Sequence, residues 1–131
     1  MSALNTKCPK VINIRKKELN KLGYNDFEDW ATSDINNLYI GRNMNYYVNG
    51  TYKSKWHNPF SIKKYGEEKS LELFEDYILK NIDLMNDLHE LEGKTLGCWC
   101  KPEKCHGDIL IKLWIQQNKD RIVEFDSDTE W

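Results

Sequence analysis

The sequence predicts an α/β fold: a single small layered Rossmann-like domain with a β-hairpin, its sheet packed against helices. Three observations carry that expectation. Short β-branched or apolar runs alternate with helix-period segments through the second half of the chain. One of those runs ends in a cysteine-rich turn that feeds directly into an amphipathic helix. A chain of 131 residues, 40% hydrophobic and 12% aromatic, suffices for one well-filled core and is cramped for two. Strands alternating with helices favour a layered sheet, and in such folds the loop after a strand's carboxyl end forms the ligand crevice.

The domain is expected over residues 11–123, after an N-terminal tail (1–10) and before an acidic tail (124–131) that carries Glu124, Asp126, Asp128 and Glu130 and no base. Val11-Ile12-Asn13-Ile14 is a β-branched first strand. The charged Arg15 to Lys21 stretch and the aromatic-bearing segment to Asp34 read as a long loop, in which Tyr24, Phe27 and Trp30 cover the core, line the pocket or form a dimer contact. Leu38-Tyr39-Ile40 is a second strand ending where Gly41 relaxes the backbone, which puts Arg42 at a strand end. Asn49-Gly50 between Tyr46-Tyr47-Val48 and Thr51-Tyr52 is a type I′ hairpin signal. Pro59 makes Trp56 to Phe60 a shaped loop.

Leu71, Phe74 and Ile78 recur at helical spacing from Glu67 onward, behind an acidic first turn. Leu84, Leu88 and Leu91 mark a shorter helix stopped by Gly93. Thr95 to Cys100 is a buried strand. Ile109, Leu110, Leu113 and Trp114 define the apolar face of a helix running to about Gln117, with Asp108 in its first turn as a cap or ligand. Arg121 to Phe125 adds an edge strand.

Charge and hydropathy restrict the function classes. No apolar run reaches the roughly 18 residues of a membrane span, and the first ten residues lack a signal-peptide centre. A soluble, cytoplasmic protein with no membrane partner is expected, its four cysteines present as thiols or ligands rather than disulfides. The formal net charge is −2, and the acids gather at the C-terminus, so the body is weakly basic. Such a body suits a small phosphorylated ligand and lacks the dense basic stripe of tight duplex binding. Nucleic acid is therefore not indicated by charge.

The chemistry is expected between Gly97 and Asp108. A turn feeding a helix start presents unpaired N–H groups and the positive end of the dipole to an anion. Cys105, with its thiolate favoured by that dipole and by Lys101 and Lys104, is a candidate nucleophile, and His106 a candidate base or acid. Cys98, Cys100, Lys101, Gly107 and Asp108 complete the ligand loop, while Cys98 and Cys105 equally suit buried apolar positions. Upstream, Arg42 suits bidentate recognition of phosphate or carboxylate. Trp56, His57 and Asn58 suit stacking on or reading a base or sugar, Asn58 having the alternative of shaping its turn. Four sulfur and nitrogen donors in one loop also suggest zinc or an iron–sulfur cluster. Their crowding onto one short loop argues against a closed tetrahedral site.

Tyr39-Ile40-Gly41-Arg42, Asn58-Pro59-Phe60 and Leu96-Gly97-Cys98-Trp99-Cys100 through Cys105-His106-Gly107-Asp108 together resemble an uncharacterised domain-of-unknown-function family frequent in phages and giant viruses. The resemblance covers roughly Val11 to Trp114. It implies that these motifs matter without supplying an activity, and it implies a virus-infected host cell as the setting. A second uncharacterised family is more distantly similar, with Cys-His-Arg where this chain has Cys105-His106-Gly107. Three functional readings follow: binding, with or without processing, of a nucleotide-derived or phosphorylated small molecule at the Cys/His loop; a zinc or iron–sulfur module acting on nucleic acid or nucleosides; and a viral protein-interaction domain. The sequence fixes neither a cofactor nor an oligomeric state.

Overall fold

The computed structural model describes residues 7–101 and 103–119. Three strands, β1 (Lys10–Asn13), β2 (Asn37–Tyr39) and β3 (Thr95–Cys98), form one parallel sheet in the order β1-β3-β2. Two helices, α1 (Lys16–Lys21) and α2 (Phe27–Ser33), connect β1 to β2. Between β2 and β3 lie α3 (Ile62–Tyr65), α4 (Glu67–Leu79), α5 (Ile82–Asp87) and a 3-10 turn at Leu88–Leu91. Helix α6 (His106–Gln117) follows β3.

Strand alternation divides the core in two. Val11, Leu38, Ile40, Leu96 and Cys98 face the larger cluster, which takes in Phe74, Ile78, Leu88, Leu110, Leu113 and Trp114 from the later helices. Ile12, Ile14 and Tyr39 face the smaller one, with Leu19, Phe27 and Trp30 from α1 and α2. Helices therefore cover both faces, as a parallel sheet requires.

The α/β class, the α4 helix at Glu67–Leu79 and the helix ending at Gln117 agree with expectation. Three expectations need correction. The segment read as a long loop contains α1 and α2; Asp26 caps α2 by accepting the Asp29 N–H at 2.9 Å, and Phe27 and Trp30 are core residues. Tyr46 to Tyr52 forms no hairpin: Asn49-Gly50 turns, with Gly50 at φ +92°, but no strand flanks it, and Tyr46 and Tyr47 are 92% and 80% exposed. The first strand begins at Lys10, so the expected tail joins the sheet, and Lys7 accepts the Gly93 N–H at 2.6 Å. The expected Arg121 to Phe125 strand and the acidic tail lie outside the described residues. No helix among the described residues is long and apolar enough to cross a membrane.

Candidate functional site

Because all three strands are parallel, their carboxyl ends meet on one edge, and hydrogen bonds tie that edge into a crest. From β1, Asn13 Nδ2 donates to the Lys101 carbonyl, and Arg15 Nε donates to the Trp99 carbonyl at 2.9 Å. From β3, Trp99 Nε1 donates to the Tyr39 hydroxyl at 3.0 Å, and that hydroxyl donates to the Arg42 carbonyl at 2.5 Å beyond β2. From α6, the His106 ring reaches the Ile40 carbonyl through Nε2 at 2.6 Å.

Helix α6 is pressed against the sheet at its first turn. Gly107 is buried, and a Cβ there would stand 2.8 Å from Val11 Cγ2 and 3.0 Å from Ile40 Cδ1, so only glycine admits this approach. Cys105 is the N-cap, and Asp108 completes a capping box by accepting the Cys105 N–H at 3.2 Å through Oδ2. The other oxygen of Asp108 takes Lys101 Nζ at 2.6 Å. Asp108 therefore caps, as its position allowed, and its charge is already paired.

Cys98 and Cys105 are each 1% exposed and hydrogen-bond through sulfur. The backbone N–H groups of Cys100 and Lys101 also point at Cys98, and the Lys101 ammonium is close. The hydrogen bond from Cys105, followed by these backbone donors and the Lys101 charge, pulls the Cys98 thiol down from 9.0 to about 6 against the effect of burial, whereas its thiolate neighbour and burial push Cys105 up. In this buried pair the lower pKa falls on Cys98, to which the Cys105 thiol and the strand-end N–H groups donate, while Cys105, the nucleophile expected from sequence, is itself 1% exposed. Half-buried Cys100 is pushed up by burial and by the Cys98 charge.

The His106 ring hydrogen-bonds the Ile40 carbonyl, and no hydrogen bond joins it to Cys105 among the described residues. The ring meets Phe74 edge-on at 5.1 Å, and burial lowers its pKa. A carbonyl accepts only, so Nε2 carries the proton of the neutral ring and Nδ1 is the open acceptor. His57 lies near it and is anchored through Nδ1 to the Ser54 carbonyl at 2.7 Å. Asn58 shapes its loop: Nδ2 donates to Ser70 Oγ at 2.9 Å, Oδ1 accepts the Phe60 N–H at 2.9 Å, and Ser70 Oγ donates to the Phe60 carbonyl at 2.6 Å. Trp56, expected to stack on a ligand, is 1% exposed inside the larger core, which leaves no free ring face. Among the described residues no three His, Cys, Asp or Glu side chains are grouped to hold a metal.

Arg15 and Arg42 are exposed and have no carboxylate partner among the described residues. Arg15 and Asn13 were not singled out from sequence, and Tyr39 entered, beyond its strand, only as the first residue of the Tyr39-Ile40-Gly41-Arg42 motif. Their signal is positional, since each sits at or just past a strand end.

The thiol pair yields a pH prediction. A folded-state pKa below the 9.0 of the free thiol means that ionised Cys98 stabilises the fold above pH 9, and that this contribution is lost as pH falls to about 6. Thiolate absorbance of the folded protein will show one early-titrating group near pH 6 that Cys98→Ser removes. The variant's denaturation midpoint will also lose the wild-type rise across this window. A midpoint that climbs identically in both proteins would refute the assignment.

Residues 26–116 match the family described as domain of unknown function DUF4326. The chain belongs to this family. The DUF4326 match begins after β1 and α1, so it takes in Arg42, Asn58 and the Cys98 to Asp108 loop and leaves out Asn13 and Arg15. One relative is "Uncharacterized protein R718" of Acanthamoeba polyphaga mimivirus, 40% identical over 101 residues, covering 70% of this chain and 73% of that protein. Another is "Uncharacterized 12.4 kDa protein in nrdA-td intergenic region" of Enterobacteria phage T4, 33% identical over 69 residues, covering 50% of this chain and 64% of that protein. The family resemblance read from the motifs is thus shown. No solved structure matches the chain.

Proposed function

We propose that the crest outside the carboxyl ends of β1, β3 and β2 binds a nucleotide-derived or otherwise phosphorylated small molecule. One observation carries the reading. Two guanidinium groups, Arg15 and Arg42, are delivered to one sheet edge by the two outer strands, and neither has a carboxylate partner among the described residues. Arg15 spends only Nε on Trp99, which leaves the outer fork of its guanidinium for a ligand. Planar forks of this kind suit phosphate oxygens, and a pair of them suits two phosphates or one phosphate held from both sides. Lys101 is engaged by Asp108 and takes a supporting part.

Three parallel strands, helices on both faces and a ligand at the strand ends would make the domain Rossmann-like.

Calorimetric titration with pyrophosphate tests the reading. Arg15→Ala and Arg42→Ala should each weaken binding by about tenfold, close to 1.4 kcal/mol, while Lys63→Ala on the exposed α3 should not. Equal weakening by all three would reduce the effect to general charge attraction and remove the site.

A further inference from the structure

The crest borders a cleft that the phosphate reading does not use. It has a volume of about 360 Å³ and is lined by Trp99, Phe27 and the Tyr47 to Asn49 turn, with the exposed side chains of Lys16, Asp26 and Glu28 as its polar rim. The size stands at the lower end of the roughly 300–1,000 Å³ of small-molecule pockets, which suits a compact planar group and excludes a peptide strand or helix.

The rim has polar atoms to spare. Glu28 and Lys16 make no ion pair, and the Asn49 amide makes no hydrogen bond, among the described residues. Asp26 is half committed, its Oδ1 accepting the Asp29 N–H. Apolar rings with a few uncommitted polar groups beside them are the usual make-up of a site that both grips and reads a ligand. A carboxylate only accepts, so Glu28 calls for a ligand edge made of N–H donors.

The cleft and the arginines share residues. Ile14 lines the cleft and Arg15 follows it. The Trp99 ring lines the cleft while its carbonyl holds Arg15, and its Nε1 reaches the Tyr39 hydroxyl that bonds Arg42.

We infer that this cleft takes the base of a guanine nucleotide, slotted between Trp99 and Tyr47 with its donor edge on Glu28, while the phosphate lies on Arg15 and Arg42. The inference rests on the phosphate reading for the second half of the ligand and on the cleft for the first. Guanine fits the carboxylate because its ring N–H and its amino group are adjacent and both donate to one carboxylate. Adenine and cytosine place a ring-nitrogen lone pair beside the amino group, against the carboxylate charge. Uracil offers one N–H flanked by two carbonyls. Asn49 and Lys16 supply donors for the guanine carbonyl and its neighbouring ring nitrogen.

The test is calorimetry on the full chain with guanosine monophosphate, adenosine monophosphate, guanosine and pyrophosphate, for the wild type, Glu28→Gln and Tyr47→Ala. Both substituted side chains are exposed, so the fold is kept. Guanosine monophosphate should bind more tightly than pyrophosphate or adenosine monophosphate. Glu28→Gln should weaken it by about tenfold and leave pyrophosphate unchanged, and Tyr47→Ala should weaken both nucleotides. Pyrophosphate binding with no gain from guanosine, or no effect of Glu28→Gln, would overturn the cleft assignment and leave the phosphate reading standing. Guanosine binding that is sensitive to Glu28→Gln, without pyrophosphate binding, would keep the cleft and sink the phosphate reading. Binding of none of the four would end both.

Discussion

Trp56→Ala will lower the unfolding free energy by about 3–5 kcal/mol, the range for removing a large buried aromatic ring. Trp56 is 1% exposed and packs in the larger core with Ile40, Phe74, Leu88 and Trp114. Its backbone N–H is held by Ser54 Oγ at 3.1 Å, so the neighbouring backbone will not readily collapse into the void. Equilibrium denaturation measures the loss. A variant of wild-type stability that no longer binds ligand would instead restore the stacking role expected from sequence. The surface predicts the opposite pattern, with stability lost and the cleft and crest intact in whatever fraction remains folded.

Gly97→Ala should be the most damaging single methyl group in the sheet. Gly97 is buried in the middle of β3, and a Cβ there would stand 2.6 Å from Trp30 Cη2 and 2.9 Å from Ile14 Cγ2. The Trp30 indole cannot step aside easily, since Phe27 lies 5.9 Å away on the same helix and the ring is 1% exposed. Overpacking of this kind costs about 1–3 kcal/mol, and valine at the same place should exceed that range. Thermal unfolding of the two variants checks the order. Alanine tolerated without loss would mean that α2 slides freely over the sheet, contrary to the packing described. A companion change of Trp30 to a smaller residue should recover part of the deficit if the collision is the cause.

Much of the later half was legible because its signals are local and mutually consistent. Phe74 and Ile78 recur on one face of α4, Gly93 at φ +74° ends the leucine-bearing turn, and a short apolar strand runs into a capped helix at Cys105. The first half was not legible in the same way. Helices α1 and α2 have 6 and 7 residues, too few for a hydrophobic period, and α1 buries only Leu19. Their stability comes from packing on the sheet and not from a pattern within each segment. Asn49-Gly50 gave a true turn and a false hairpin, because a turn signal says nothing about whether its flanks find partners.

The site divides along the same line. The Cys98 to Asp108 loop announced itself by composition, and its burial and proton-sharing did not, since they depend on which sulfur the chain fold brings under which N–H groups. Arg15 looked like one more charge in a basic run. Only the parallel register of Lys10, Thr95 and Asn37 shows that it ends a strand beside Trp99.

The strand in the middle of the sheet is the last of the three in sequence. As the chain leaves the ribosome, β1 and β2 are made first, yet they do not pair with each other; each pairs only with β3. Residues 10–13 must wait until residues 95–98 emerge before any sheet hydrogen bond can form. Until then the nascent polypeptide carries two strands without their sheet partner and two apolar faces without their central strand. Contacts so distant in sequence make folding slow, and a release or cleavage before Thr95 yields a fragment that lacks the strand with which β1 and β2 pair. The insertion of β3 is therefore the step that commits the chain, and it brings Cys98 and the Trp99 crest into place in the same event.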